Sequence, residues 1–255
     1  MIELIDTHCH IQFADYQLDA DEVIDAAQET GVTKLMCVGC TLEDSKAAID
    51  FAKKYKNIYA SIGLHPHEAD KYINNPKALQ SFHSLASHAE VVAVGEIGLD
   101  YYYNHSEKED QKELLRFQLT VAQEHNLPVI FHVRDAFEDF WKIYDEFKPK
   151  GVIHSFTAGA KELEQILKRN LYVGLNGIMT FSKDSNQLNA VKSIPLANIV
   201  VETDSPYLTP VPFRGTICQP KHVANTATFL SELRGESLKA FATATTQNAT
   251  RLFNL

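Results

Sequence analysis

Ile2-Glu3-Leu4-Ile5-Asp6-Thr7-His8-Cys9-His10 opens the chain, and the way this segment ends decides the fold. Its apolar, β-branched start reads as a strand. A doubly wound sheet would pass from its first strand into a glycine-rich phosphate loop. This strand runs out in His-x-His instead. Alternate residues of a strand share a face, so Asp6, His8 and His10 project together while Thr7 and Cys9 face the other way. Two imidazoles on one face are a way of presenting ligands to zinc or a neighbouring transition metal. Alone, the motif also fits a pair of hydrogen-bonded strand-end histidines.

Outward from this segment, short apolar or β-branched runs alternate with longer amphipathic ones, the pattern of repeated βα units around a parallel sheet. The strands read as Ile2-Asp6, Lys34-Val38, Ile58-Ile62, Val91-Glu96, Pro128-His132, Gly151-His154, Leu171-Gly174 and Asn198-Glu202. Helices are expected over Asp21-Thr30, Leu42-Tyr55, Pro76-His88, Glu107-His125, Ala136-Phe147, Ala160-Arg169 and Asp184-Lys192, with further helix from Lys221 to the end. Eight units in 255 residues match a closed (β/α)8 TIM-like barrel, read as one α/β domain over residues 1–255. The alternative, an open doubly wound sheet, lacks its phosphate loop.

No run approaches the roughly 18 apolar residues of a membrane span, and Met1 leads into a polar, histidine-bearing segment, so a cytoplasmic protein is expected. Cys9, Cys37, Cys40 and Cys218 are then reduced thiols in a chain too large to need disulfide staples. The net charge of -9 has the wrong sign for a protein that grips nucleic acid with a broad basic surface. A polyanionic substrate would have to be attracted locally, by metal ions and a few basic side chains.

The remaining ligand-type residues decide what His8 and His10 are for. Glu96 follows Val91-Val94, His132 and His154 end the fifth and sixth strands, and Asp204 lies just after the eighth. All fall at C-terminal strand ends, the barrel face that carries active sites. Four histidines and two carboxylates exceed the needs of one tetrahedral ion, and a carboxylate can bridge two cations, so a two-metal hydrolytic site bridged by Glu96 is expected. Mixed imidazole and carboxylate ligation suits Zn, Mn or Fe, with Mg possible where waters complete the shell.

Several motifs together resemble the TatD-type metal-dependent hydrolases of the amidohydrolase superfamily. They are Ile5-Asp6-Thr7-His8-Cys9-His10, Gly63-Leu64-His65-Pro66-His67, Gly95-Glu96-Ile97-Gly98-Leu99-Asp100-Tyr101-Tyr102, Leu127-Pro128-Val129-Ile130-Phe131-His132-Val133-Arg134, His154-Ser155-Phe156-Thr157 and Glu202-Thr203-Asp204-Ser205-Pro206-Tyr207-Leu208. The resemblance implies a TIM-like barrel, two divalent metals and metal-dependent nuclease activity, including 3′-to-5′ exonuclease action on DNA. It also implies that His8, His10 and Asp204 serve one metal and His132 and His154 the other, with Glu96 shared and Asp204 accepting the proton of the attacking water. The chain departs from the family at Arg214-Gly215-Thr216-Ile217-Cys218-Gln219-Pro220, where Asn-Glu usually stands in place of Cys218-Gln219, and at Leu115, between Gln111 and Gln118, where an aromatic is common.

Other signals are weighed against plainer readings. His65 and His67, sharing parity at the end of the third strand, are expected to touch substrate. Arg134, two residues beyond His132 on the same face, and Arg214, in the long loop after the last strand, are expected to meet a phosphate; the plainer reading of each is a structural ion pair. Tyr101, Tyr102, Tyr103, Phe156 and Tyr207 could stack on bases or only pack loops. Glu202 and Asp6 share parity with the ligands and read as groups that orient them. Cys37-Val38-Gly39-Cys40 lacks a second thiol pair and reads as ordinary strand, and His83, His88 and His125 as surface or packing residues. The expected reaction is phosphodiester hydrolysis at single-stranded DNA ends, with metal-dependent ester or amide hydrolysis as the alternative.

Overall fold

The computed structural model describes residues 2–255. Its strands are β1 (Leu4–Cys9), β2 (Val32–Val38), β3 (Ile58–Ile62), β4 (Val91–Asp100), β5 (Val129–Arg134), β6 (Gly151–Ile153), β7 (Tyr172–Leu175) and β8 (Ile199–Val201). They form one sheet in the order β1 to β8. The pairs β3–β4, β4–β5, β5–β6 and β7–β8 are parallel. The chain beyond β8 returns to β1, where Asp204 N–H donates to His8 O at 2.8 Å and His10 N–H to Ser205 O at 2.7 Å. A parallel sheet in sequence order whose last strand meets its first is the (β/α)8 barrel.

The helices are α1 (Ala20–Glu29), α2 (Leu42–Lys54), α3 (Ala69–Tyr72), α4 (Pro76–Leu85), α5 (Lys108–Glu124), α6 (Phe137–Phe147), α7 (Ala160–Lys168), α8 (Ser185–Ser193), α9 (Val223–Arg234) and α10 (Leu238–Phe253). Their starts follow cap chemistry: Asp19, Thr41, Asn75, Asp184 and Ser237 each accept a first-turn N–H. The helix expected from Lys221 onward is two helices. Gly235, at φ +70°, ends α9 in the left-handed conformation that glycine adopts without a Cβ clash. α3 was not expected, because four residues are too few to show an apolar period.

The described residues divide into two compact units, residues 2–36 with 155–255 and residues 37–154. In the first, α10 packs against β1 and β8. Asn248 on α10 donates to Leu196 O and Ile199 O, each at 2.8 Å, and so fixes the approach to β8. All six residues of β1 are buried, as suits a parallel strand covered on both faces. In the second unit α5 packs on β4. Its buried Gln111 and Gln118, seven residues apart on one helical face, reach the backbone just after β3 and at the last residue of β4. Gln118 accepts from Leu64 N–H at 2.7 Å and donates to Leu64 O at 3.0 Å; Gln111 accepts from Asp100 N–H at 2.9 Å and donates to Asp100 O at 3.1 Å. The backbone that carries His65 and Asp100 is thereby pinned.

Candidate functional site

In the first unit, His8, His10 and Asp204 come together. His8 Nε2 and His10 Nε2 are 3.1 Å apart, and Asp204 Oδ1 lies 3.5 Å from the former and 3.3 Å from the latter. Ligand atoms set tetrahedrally about a zinc-type ion at ~2.0–2.1 Å are about 3.3 Å from one another. The donor set and its spacing fit a cation. Asp6 builds the scaffold beneath: its buried carboxylate accepts from Thr203 N–H at 2.9 Å, from Thr203 Oγ1–H at 2.6 Å and from His8 N–H at 3.3 Å. Burial nonetheless pushes the Asp6 carboxyl up to about 8, against the pull of those hydrogen bonds. Glu202, also buried, accepts from Ser155 N–H at 2.7 Å and from Asn176 Nδ2 at 3.4 Å. A Cβ on Gly174 would strike its carboxylate, so glycine there makes room for it.

In the second unit, three imidazoles surround one carboxylate oxygen. His132 Nδ1, His154 Nε2 and His65 Nε2 lie 2.7, 3.3 and 3.6 Å from Glu96 Oε1. Nitrogens and carboxylate of His65, His132 and Glu96 are close enough together to share a metal ion. The far side of His132 is held as well: its Nε2 lies 2.9 Å from Asp100 Oδ2, which His67 Nε2 also approaches, at 3.0 Å. A carboxylate on the outer nitrogen of a ligating imidazole fixes its tautomer and orientation. Asp100 is therefore a functional residue that the sequence reading passed over, although it lies four residues from Glu96 with matching strand parity. The Cys40 thiol donates to Glu96 Oε2 at 3.8 Å, a contact that the sequence did not announce.

These contacts set the electrostatics. Burial alone would raise Glu96, but the His154 charge and hydrogen bonds from His132, His154 and His65 outweigh it and hold the carboxyl well below its usual range. Asp100 is likewise lowered despite burial, chiefly by hydrogen bonds from His132 and His67. His132 is disfavoured as a cation by burial but is raised on balance by Asp100 and Glu96. His65 is lowered to about 4 by burial and by the neighbouring His132 charge. The two carboxylates thus stay ionised, as metal-facing and orienting groups need to be.

The other expected contact residues separate. Arg134 is exposed and lies over the rings of Tyr102 and Tyr103, and its guanidinium has no ion pair or hydrogen bond among the described residues. The structural ion pair is therefore not its role. Arg214 is anchored in its loop, stacked 3.8 Å from the Phe181 ring centroid with Nη1 donating to Thr209 O at 2.8 Å. Phe156 is buried and unavailable for stacking, whereas Tyr102, Tyr103 and Tyr207 are exposed. His83 pairs with Glu124 on the surface. No described helix is long and apolar enough to cross a membrane.

A barrel whose C-terminal strand ends carry clustered imidazoles and carboxylates defines a metal-dependent hydrolase. Residues 5–254 match the family described as TatD related DNase, and the chain belongs to that family. It is 38% identical over 255 residues to the uncharacterized metal-dependent hydrolase YabD of Bacillus subtilis, covering 99% of both chains. It is 33% identical to the 3′-5′ ssDNA/RNA exonuclease TatD of Cronobacter sakazakii, covering 98% of this chain and 97% of that one. The crystal structure of the TatD homolog YjjV from Escherichia coli superposes with a TM-score of 0.92 at 30% identity, covering 99% of this chain and 98% of the other.

Proposed function

We propose that the protein is a nuclease that hydrolyses phosphodiester bonds at the 3′ ends of single-stranded DNA, using two divalent ions held by His8, His10, Glu96, His132, His154 and Asp204. Glu96 would serve both ions, the first shared with His8, His10 and Asp204 and the second with His132 and His154; Zn, Mn, Fe and Mg all suit this donor set. Family membership and the geometry within each cluster support the assignment. Bound divalent ions would lower the pKa of a water and stabilise charge on the attacking and leaving oxygens. Asp204, held against His8 and His10, would take up the proton of the attacking water with its carboxylate, while Asp100 keeps His132 oriented. His65 and His67 flank Glu96 and Asp100, where they contact the substrate, and Arg214 offers its remaining donors to a phosphate from the loop after β8. Free cysteines suit action in the cytoplasm.

The observation that carries the choice of substrate is Arg134. An exposed guanidinium without a carboxylate partner, in a chain of net charge -9, suits a phosphodiester clamp. An ester or amide substrate needs carbonyl polarisation and a proton shuttle and has no use for such a clamp. The 3′-to-5′ polarity is supported by the name of the Cronobacter relative. The test is to strip the protein with chelator, reconstitute it with single metals, and assay labelled single-stranded DNA, RNA, duplex DNA and chromogenic esters. Single strands should shorten from the 3′ end, with activity lost on chelation and restored by metal. Ester hydrolysis with every nucleic acid untouched would replace this reading by the acyl-hydrolase one.

A further inference from the structure

Tyr102 and Tyr103 are 58% and 51% exposed, unusual for rings held in a fixed turn. Their order has a clear origin. Asp100 Oδ1 accepts the N–H groups of both, each at 3.0 Å, while Asp100 Oδ2 meets His67 and His132. One buried carboxylate therefore fixes the tyrosine turn with one oxygen and a proposed metal ligand with the other.

The two rings are not equivalent. They meet edge to face at 89° with centroids 4.9 Å apart, and the Arg134 guanidinium carbon sits 4.0 Å from the Tyr102 centroid and 4.6 Å from that of Tyr103. Tyr103 is engaged further: His105 lies nearly parallel to it at 5.7 Å, and the His67 ring approaches edge-on at 5.5 Å. Tyr102 has no such ring neighbours beyond Tyr103 among the described residues. It is the ring with a face to offer.

We propose that Tyr102, braced by Arg134, is a stacking subsite for an unpaired nucleobase of the bound strand. This rests on the nuclease reading above and deepens it, because it supplies a cause for single-strand preference. Base faces are exposed in a single strand and hidden in a duplex, and an aromatic ring stacks on any base without reading its edge. Arg134, 4.0 Å from the ring centroid and without a carboxylate partner, leaves N–H groups for the adjoining phosphate, so base and backbone of one nucleotide are gripped by two neighbouring side chains. Stacking also needs no basic surface, which a chain of net charge -9 lacks.

The experiment compares wild type, Tyr102→Ala and Tyr102→Trp. It measures affinity for a short phosphorothioate oligothymidine, affinity for a strand of equal length with abasic sites, and kcat/KM on bis(p-nitrophenyl) phosphate. Tyr102→Ala should weaken oligothymidine binding on the order of tenfold or more, as loss of base–aromatic stacking does. Abasic-strand binding should be unchanged, and Tyr102→Trp should restore affinity. Equal loss on both strands would show that the ring merely props Arg134, and unchanged oligothymidine affinity would show that no base stacks there; either overturns the subsite. A wild type that cleaves the small diester yet neither binds nor cleaves single-stranded DNA would overturn the nuclease reading itself, a result visible before any variant is compared.

Discussion

At the scale of single residues, the two tasks proposed for Asp204, ligand and base, meet a backbone to match. Its φ of +60° is a left-handed conformation that Asp tolerates better than most residues, and its N–H bond to His8 O keeps the carboxylate beside His8 and His10. Asn preserves the size, this backbone tolerance and one oxygen ligand, but it is a poor base. Asp204→Asn should lower turnover by roughly the 10²–10⁴ associated with lost acid–base catalysis while single-strand binding changes little. Metal content, binding and cleavage measured on one preparation separate the tasks; near-normal cleavage at full metal occupancy would remove Asp204 from the base role. That His8 and His10 lie beside Asp204, and His132 and His154 beside Glu96, was legible because ligand-type residues gathered at strand ends are rare by chance. Asp100 and Cys40 were not, since a carboxylate that orients an imidazole and a thiol that reaches a carboxylate have no distinctive spacing. The approach of His65 to Glu96 depended on a backbone held by Gln118, a contact that crosses 54 residues of sequence.

At the scale of elements, the strands were legible in type and order, and the ends of β2 at Val38 and β3 at Ile62 as well, but the end of β4 was not. β4 was expected to stop at Glu96 and continues to Asp100, with an irregular register between Val94 and Ile97, after which Gly98 pairs with His132. The apolar pattern fades across Glu96 and Gly98, so nothing local signals that pairing persists. Gly98 is the point where β4 sets the position of β5. At φ +155° it occupies a region that L side chains rarely adopt, and a Cβ there would fall on the His132 carbonyl oxygen. Gly98→Ala should therefore displace His132 and destabilise the protein by about 3 kcal/mol, combining overpacking with an unfavourable backbone conformation. Gly159, with nothing within 4 Å of an added Cβ, is the control, and Gly159→Ala should stay within ~0.5 kcal/mol of wild type. Urea unfolding and metal analysis of the two variants decide it. Equal stability and metal content would mean that the β4–β5 junction yields and does not position His132.

At the scale of the whole molecule, charge makes a prediction that fold does not. The barrel was foreseeable from its eight βα repeats, whereas the choice between phosphodiester and acyl bonds was not, because imidazoles and carboxylates at a strand end serve both. Salt dependence bears on that choice. A protein that neutralises several phosphates releases their counterions, and for single strands log K falls with log salt at a slope of about -0.7 per phosphate contacted. Here 24 basic side chains face 33 acidic ones. The side chains assigned to phosphate are Arg134 and Arg214, and Arg214 already spends one donor on Thr209 O. Two contacts correspond to a slope of about -1.4, so binding of a cleavage-resistant single strand should weaken less than about tenfold between 50 and 200 mM salt. Screening of the repulsion between a net charge of -9 and the strand flattens the dependence further. The measurement is a binding isotherm at several salt concentrations with metal occupancy held constant. A hundredfold loss over that interval would require many more phosphate contacts than this surface can supply, and it would move strand recognition away from a stacking ring and two arginines to a basic face elsewhere on the molecule.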